Sequence, residues 1–452
     1  MFIQLAADGD LPNLSRYVLE SGGVVPATTV FPSTTGVAYL PFLTGCYPGT
    51  CDVPGIRWLD RRTYRGRWWS ERKHVRSYCG YQAGRINTDL RPGIESLFDR
   101  VDDVAVLASP FTRGLTKRAN RVRVARAVLG SAAHYTGRYE SLDRAVGRDL
   151  ARIAPNGHQL VFAVFPAVDG VTHFHDPWHP AVMDTYRQFD RIVGNYAARG
   201  GFDGDHLALI VSDHGASSVE RHTDLAVSMK AIGIPTLSHP IVWRRNPDAA
   251  VMVSGNGSAQ VYLAPGNGRP TRASLSNIED GSVPGIPTDL VTRIASMDGV
   301  AFVASSQGAG VTLVAEHGRA SLTPDPADPG RITYEMQGSD VLDLGGDSSR
   351  GDREWLEFSL NRRYPDGPAQ LLQLFRSERA GDLVVVAELG CDLRDGWELP
   401  EHRSGHGSLI AEHMRCLIAA NRPLDGPLRT VDLFPLLLEH LGCGVPPGID
   451  GI

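Results

Sequence analysis

Two acidic residues follow apolar runs of the sequence and are the first candidates for chemistry. Asp169 ends the run HQLVFAVFPAVD (158–169), and Asp213 with His214 closes HLALIVSDHG (206–215). If both runs are strands of an open α/β sheet, these side chains lie at the edge where such sheets bind ligands. His173 follows Asp169 by four residues, and His406 lies in the loop RSGHGS. Such carboxylates and imidazoles suit Zn²⁺, and two ions can clamp the attacking and leaving oxygens of a displacement at phosphorus.

Thr35 is the candidate nucleophile. A run rich in β-branched residues, VVPATTV (24–30), precedes Pro32, and the sequence predicts a helix that opens near Thr34 and Thr35. A hydroxyl at a helix N-terminus meets a phosphate beside free N–H groups and a favourable dipole. A neighbouring metal ion favours the alkoxide, which an isolated Thr does not reach near neutral pH. Taken alone, a Thr at this position is most often only a helix cap.

Structural roles compete with chemistry at several of these positions. Asp169 can cap a helix without binding a metal, although His173 at i+4 favours a ligand role. His175 and His179 are rivals of His173, because the stretch HFHDPWH presents all three imidazoles. Other polar residues near the motifs are interpreted as solvated loop residues: Asp176, Arg221 and His222.

The elements that must position these residues predict an α/β fold. The two apolar runs flank an amphipathic helical pattern (179–201), which indicates a βαβ unit in a mostly parallel central sheet with helices on both faces. Residues 264–360 are rich in Gly, Pro and Ser and contain short strands, so we expect an inserted, strand-rich cap subdomain. The catalytic core is then expected to comprise residues 1–263 and 361–452.

Composition excludes some classes of protein. The 452 residues carry a formal net charge of -6, which argues against binding of a nucleic-acid duplex. No apolar run reaches the length of a membrane-spanning helix. The six Cys contain no CxxC pair, and the amino-terminal residues lack the pattern of a signal peptide, so we expect a cytoplasmic protein.

The motifs together resemble a known family. The string FPSTTGVAYLPFLTGCYPG (31–49) is similar to the nucleophile segment of the alkaline phosphatase superfamily, closest to its type I phosphodiesterase/nucleotide pyrophosphatase branch. The stretches DGVTH, SDHG and SGHG resemble its metal-binding motifs, in the same order. The resemblance implies an alkaline-phosphatase-like fold, Thr35 as nucleophile and two divalent ions, taken to be zinc. It implies one ion on Asp169, His173 and His406, and the other on Asp213, His214, the nucleophile and an amino-terminal Asp.

Two features depart from the family pattern. The family's amino-terminal Asp follows a first strand, and counting back from Thr35 by the usual separation runs off this chain. We therefore expect that strand and one ligand to be missing, with Asp8 as a less favoured replacement. In CDVPGIRW (51–58), Ile56 stands where phosphodiesterase relatives place an Asn, so Arg57 is the candidate phosphate contact. A bidentate Arg favours a more highly charged phosphate.

The resemblance implies a metal-dependent phosphodiesterase/nucleotide pyrophosphatase that acts through a phospho-threonine. The alternatives are a phosphomonoesterase or phosphonate hydrolase of the same superfamily, and a catalytically silent protein that binds a phosphorylated ligand or is a truncated enzyme. Small phosphorylated molecules are the expected partners: nucleotides, sugar nucleotides or lipid headgroups. The sequence predicts no oligomeric state.

Overall fold

The computed structural model describes residues 1–65, 74–154, 157–239, 247–394 and 401–452. Within these ranges, helices and strands alternate along much of the chain, so the predicted α/β class is confirmed. None of the described helices is long and apolar enough to span a lipid bilayer. The helices, in chain order, are α1 (Phe2–Ala7), α2 (Pro12–Leu14), α3 (Leu40–Thr44), α4 (Ile86–Asp89), α5 (Leu97–Arg100), α6 (Arg123–Thr136), α7 (Glu140–Ile153), α8 (Ala167–Thr172), α9 (Pro180–Ala197), α10 (Leu225–Ala231), α11 (Leu275–Glu279), α12 (Leu290–Ala295), α13 (Asp352–Ser359), α14 (Gly367–Leu374), α15 (Ala411–Met414) and α16 (Leu433–His440).

The described strands form several sheets. They are, in chain order, β1 (Gly23–Thr28), β2 (Arg57–Leu59), β3 (Val75–Ser77), β4 (Val104–Leu107), β5 (Asn120–Arg121), β6 (Leu160–Ala163), β7 (Leu209–Val211), β8 (Ser217–Ser218), β9 (Arg221–His222), β10 (Thr236–Ser238), β11 (Ala249–Ser254), β12 (Ser258–Leu263), β13 (Val300–Gln307), β14 (Gly310–Ala315), β15 (Gly318–Pro324), β16 (Arg331–Gly338), β17 (Ser348–Gly351), β18 (Leu383–Ala387), β19 (Cys391–Asp392), β20 (Ser404–Gly405), β21 (Arg415–Ala420) and β22 (Leu428–Arg429).

The helix between the two predicted strands packs as its sequence pattern requires. α9 begins with Pro180 at its first position, and the ring of His179 accepts a hydrogen bond from a backbone N–H of its first turn. Its buried face includes Val182, Thr185 and Val193, at spacings of a helical stripe. α9 packs against α7, where Gly147 leaves no room for a Cβ beside Ile192. This close helix pair supports β6 and the short helix α8 that follows it.

The strand pairings are mixed, so a mostly parallel central sheet is not confirmed. One sheet has the order β5-β4-β6 and is parallel throughout. A second has the order β22-β1-β21-β7, in which β21 runs antiparallel to both of its neighbours. An apolar run indicates that a strand is buried, but it does not show whether the neighbouring strand is parallel or antiparallel. The direction of strand pairing could therefore not be predicted from the sequence. The expected βαβ strands β6 and β7 are both present, but they pair in different sheets.

The predicted cap does not coincide with a separate sheet. Residues 264–360 supply β13 to β17, as expected of a strand-rich segment, but these strands continue one nine-stranded sheet. Its order is β10-β11-β12-β18-β13-β14-β15-β16-β17, so β18 from the expected core lies between β12 and β13. The short strand spacings identified the strands, but not their long-range partner β18. Whether 264–360 behaves as a subdomain stays a prediction.

Candidate active site

Four segments converge at one end of β6 and β7. Asp169 lies in α8, directly after β6, and Asp213 and His214 follow β7. Strand β8, which comes next, pairs with β20 and so brings the loop of His406 beside His214. Gly255 has φ of +59°, and a Cβ there would lie 2.7 Å from His406 Nδ1, so glycine is required for this approach.

Thr35 lies just ahead of a helical turn rather than inside it. The backbone N–H of Thr34 donates to the Pro32 carbonyl, and Gly36 then adopts φ of +87° before a 3₁₀ turn that begins at Val37. The α-helix α3 starts only at Leu40, later than the predicted opening at Thr34–Thr35. Gly36 permits the sharp change of direction that exposes the Thr35 hydroxyl to the cluster.

The predicted nucleophile and four predicted ligands meet in one cluster. Thr35 Oγ1 lies 2.9 Å from His214 Nε2. Asp169 Oδ1 lies 3.4 Å from His173 Nε2 and 3.7 Å from His406 Nε2. Donor atoms of Asp169, His214 and His406 all lie within 4.8 Å of one another. This trio combines members of both expected ligand sets, so the two sets form one continuous centre.

The imidazoles of His173, His214 and His406 are each oriented by a backbone carbonyl. In each ring, Nδ1 faces a backbone carbonyl: that of Ser404 for His173, of Gly215 for His214 and of Ser33 for His406, at 3.0–3.2 Å. A ring that donates Nδ1–H to a carbonyl keeps its Nε2 lone pair for a cation or a hydroxyl proton. All three Nε2 atoms accordingly turn toward the carboxylates or toward the Thr35 hydroxyl.

Asp213 completes the centre. Its backbone carbonyl accepts a hydrogen bond from Thr29 Oγ1 at 2.5 Å, which fixes the chain after β7. Its Oδ2 is buried and has no hydrogen-bond partner in the described part of the chain; His214 Nε2 is 3.5 Å away. Burial, reinforced by the charge of Asp169, raises the pKa of Asp213. A buried carboxylate oxygen without a donor is a position where a cation compensates the charge.

The pKa values of the Asp169 and Asp213 carboxylates shift in opposite directions. Burial alone would raise the pKa of Asp169, but the adjoining imidazoles, His173 first and then His406 and His214, outweigh it and hold that pKa below its ordinary range. Burial lowers the pKa of His406 well below its usual value, so this imidazole is neutral. Ionised carboxylate and neutral imidazole are the protonation states that bind divalent cations.

The donor set therefore fits divalent metal ions. Two carboxylates and three imidazoles, oriented from behind by carbonyls, offer the oxygen and nitrogen ligands that zinc takes in hydrolytic sites. The residues that would hold the ions are Asp169, His173, Asp213, His214 and His406.

The other two predicted candidates, Arg57 and Asp8, do not belong to the cluster of ligand atoms. Arg57 is on β2 and its Nη2 lies 3.7 Å from Cys79 Sγ. Burial lowers the pKa values of His134 and His402, and the charge of Arg57 adds a small contribution in the same direction. Asp8 is exposed at the end of α1 and accepts a hydrogen bond from Gln4, outside the cluster.

The rival residues near the motifs have partners of their own. The rings of His175 and His179 stack on each other at 4.2 Å between centroids, and Asp176 accepts a hydrogen bond from Ser218. Arg221 forms ion pairs with Asp298 and Glu388, outside the cluster. The ring nitrogens of His222 lie 2.8 Å from Asp392 and 2.9 Å from Glu401.

Two histidines next to the centre were not identified from the sequence. His402 stacks on His173 with ring centroids 4.1 Å apart, and its spacing of four residues before His406 was the available signal. His413 is buried behind the centre, where its Nδ1 accepts the Ser408 N–H, and burial lowers its pKa to about 3. No motif marked His413.

Comparisons with known proteins identify the family and the fold. The sequence model of the type I phosphodiesterase/nucleotide pyrophosphatase family matches residues 3–266, more than half of the chain. No protein of curated function matches the sequence. Among solved structures, phosphonoacetate hydrolase from Sinorhizobium meliloti 1021 in complex with phosphonoformate is similar, at 17% identity and a TM-score of 0.57, over 97% of this chain and 92% of that one.

Human ectonucleotide pyrophosphatase/phosphodiesterase 5 is similar at 12% identity and a TM-score of 0.54, over 98% of this chain and 92% of that chain. The inactive murine form of that protein in complex with AMP gives the same identity, TM-score and coverage. At such identities the likeness establishes the fold. With the family match over more than half of its length, this chain belongs to the type I phosphodiesterase/nucleotide pyrophosphatase family of the alkaline phosphatase superfamily.

Proposed function

We propose that this chain is a metal-dependent phosphodiesterase in which Thr35 is the nucleophile. The observation that carries the proposal is the 2.9 Å contact between Thr35 Oγ1 and His214 Nε2, inside a cluster of carboxylates and imidazoles. A Thr hydroxyl that served only as a helix cap would bond to backbone N–H groups of the following turn. Here it faces the group of residues that fits metal ions.

Divalent ions bound by the cluster would act as Lewis acids for the phosphoryl oxygens and favour ionisation of the nearby hydroxyl. Thr35 Oγ1 attacks phosphorus, the bond from phosphorus to the leaving oxygen breaks, and its electron pair departs with that oxygen. The proton of Thr35 passes to solvent. The phosphorylated Thr35 keeps the second ester group of the substrate. Water then attacks this intermediate, the bond from phosphorus to Oγ1 breaks, the phosphate monoester leaves, and a proton from the water restores the Thr35 hydroxyl.

The second candidate is a phosphonate hydrolase or phosphomonoesterase. The similarity to phosphonoacetate hydrolase supports it. The residues beside His173 also support it: His402 stacks on His173, and the charge of Arg57 acts on His402. An Arg and imidazoles next to the centre suit a terminal phosphoryl or phosphonate group with two negative charges. The similarity to the nucleotide pyrophosphatase/phosphodiesterase structures and the family match support the diesterase instead.

One set of assays tests the proposal. Hydrolysis of bis-p-nitrophenyl phosphate, p-nitrophenyl phosphate and phosphonoacetate is measured with Zn²⁺ and with a chelator. We expect chelator-sensitive activity that favours the diester. Thr35→Ala should lose turnover while still binding Zn²⁺, and Thr35→Ser, which keeps a hydroxyl, should retain part of it. Full activity in Thr35→Ala would contradict the proposed nucleophile, and a preference for either other substrate would select the second candidate.

A further inference from the structure

The exposed face of helix α6 is apolar. Val124, Val128 and Tyr135 are 68%, 62% and 73% exposed. Their spacings of four and seven residues put the three side chains on one face of the helix. The same face carries two small exposed residues, Ala127 and Ser131. A helix at the surface of a globular protein normally turns its polar residues to solvent, so this face has the opposite character.

The other face of α6 is already packed against the fold. Ala133 is buried, and Ala125 and Leu129 pack against the core cluster that includes Leu142 of α7. Arg126 also lies on this side, where burial lowers its pKa. Packing within the chain therefore explains one side of the helix and leaves the apolar exposed side without a purpose.

The segment around α6 is strongly basic. Residues 104–139 contain six Arg, one Lys and no Asp or Glu, in a chain whose formal net charge is -6. Arg121 pairs with Asp149 at 2.6 Å, but four of the seven cations are exposed: Lys117, Arg118, Arg123 and Arg138. Arg123 is the first residue of α6, and Arg138 follows its last residue by two positions. Positive charges therefore stand at both ends of the apolar face.

We propose that α6 and its four exposed cations form a docking surface for a membrane whose lipids carry negative charge. A helix of this kind lies in the plane of the bilayer, with its apolar face at the boundary between headgroups and acyl chains. The cations then lie beside anionic headgroups, and each of them strengthens binding about fivefold. The protein binds the surface of the bilayer through this helix.

The chemistry of the face selects a lipid surface over other occupants. The backbone of a nucleic acid also attracts cations, but it offers no apolar phase for Val124, Val128 and Tyr135. A second copy of the chain would bring its own four cations against these four, and like charges held close together oppose association. An anionic bilayer supplies negative charge and an apolar interior at the same place.

Docking through α6 holds the candidate active site close to the bilayer. Gly137 ends the helix, and a Cβ there would lie 3.4 Å from the ring of Phe174. Tyr139 packs so closely on Gly170 of α8 that a Cβ at Gly170 would lie 2.4 Å from the Tyr139 ring. α8 is the helix that carries Asp169. The docking surface and the site are thus adjacent, although membrane binding does not depend on the proposed activity.

Vesicle flotation without added metal or substrate tests the proposal separately from any activity. The parent chain should bind vesicles of phosphatidylcholine with phosphatidylserine at least about tenfold more tightly than vesicles of phosphatidylcholine alone, and salt should weaken the binding. Val124→Gln with Val128→Gln removes apolar contact and should weaken binding at least about tenfold. Arg118→Gln with Arg123→Gln removes two charges and should do the same.

Helix α10 offers a matched control. It also exposes a Val and a cation, Val227 and Lys230, so Val227→Gln with Lys230→Gln should bind vesicles as the parent does. Circular dichroism checks that each chain is folded; all the substituted side chains are exposed, and Gln is a good helix former.

Four results would overturn the proposal. They are no binding of the folded parent to the anionic vesicles, undiminished binding by both α6 variants, and an equal loss in the α10 control. The fourth is a parent that does not float with vesicles but forms a dimer, or binds a DNA duplex, in a way that the α6 variants abolish. That result would assign the face to a second copy or to nucleic acid.

Discussion

Asp143 offers a test of the electrostatics under the active site. It lies in α7, is 1% exposed, and accepts a hydrogen bond at 3.3 Å from the N–H of Ala167, the first residue of the helix that carries Asp169. Burial raises the pKa of Asp143 to about 8, against a smaller opposing contribution from the Ala167 N–H. Asn at this position keeps the acceptor for Ala167 but cannot ionise, so Asp143→Asn isolates the effect of the buried charge.

The sign and size of the effect follow from linkage. The unfolded chain releases the Asp143 proton near its ordinary pKa of 3.8, whereas the folded chain holds it up to about pH 8. The folded state therefore binds more protons through this window, and its stability relative to the unfolded state falls as pH rises. At about 1.4 kcal/mol per unit of pKa, the loss between pH 5 and pH 8.5 is about 4 kcal/mol.

The assay is urea denaturation of the metal-free parent chain and Asp143→Asn at several pH values. The variant should gain stability relative to the parent by about 4 kcal/mol between pH 5 and pH 8.5. Asp184→Asn is the control, because the Asp184 side chain is 70% exposed, and its difference from the parent should stay within about 1 kcal/mol. A difference between Asp143→Asn and the parent that is flat or declines with rising pH would refute the reasoning.

Three further predictions concern packing, metal and substrate. Asp382 is buried and accepts hydrogen bonds from Arg61 at 2.8 Å and Arg269 at 3.0 Å, so Asp382→Ala should lower the free energy of unfolding by about 3–5 kcal/mol in urea denaturation. Glu378→Ala, at an exposed ion pair, should cost less than about 1 kcal/mol. A chelator should lower the melting temperature and abolish activity, and added Zn²⁺ should restore both; activity that survives complete metal removal would contradict the metal centre. Arg57→Ala should raise KM for p-nitrophenyl phosphate more than for its diester, and equal effects would remove Arg57 from phosphate binding.

Much of the site was predictable because its residues follow strong local patterns. Apolar runs that end in a carboxylate indicated Asp169 and Asp213, and the i+4 spacing from Asp169 indicated His173. Each pattern lies within one short stretch of sequence, so it can be recognised without knowing the distant partners of that stretch. His406 carried a weak local signal and was identified by the order of motifs, and β8–β20 pairing is what brings it to the centre.

The rest of the fold depends on partners distant in sequence. The apolar residues of β18 are typical of a buried strand, but nothing in them shows that β12 and β13 lie on either side. In the same way, the run that forms β7 gave no sign that its neighbour is the antiparallel β21. His413 was missed because its role depends on burial behind the site, where it contacts Ser217 and Ser408.

The central claim is that Thr35 forms a covalent bond to phosphorus. The most direct measurement is an acid quench of the Zn²⁺-loaded protein during turnover of bis-p-nitrophenyl phosphate, followed by peptide mass spectrometry. The account predicts a p-nitrophenyl-phosphoryl adduct on the peptide that contains Thr35, because only one p-nitrophenolate leaves in the first step; the adduct is located on Thr35 itself and is absent from Thr35→Ala. Turnover with no adduct in the parent chain, or an adduct on another residue that persists in Thr35→Ala, would contradict it.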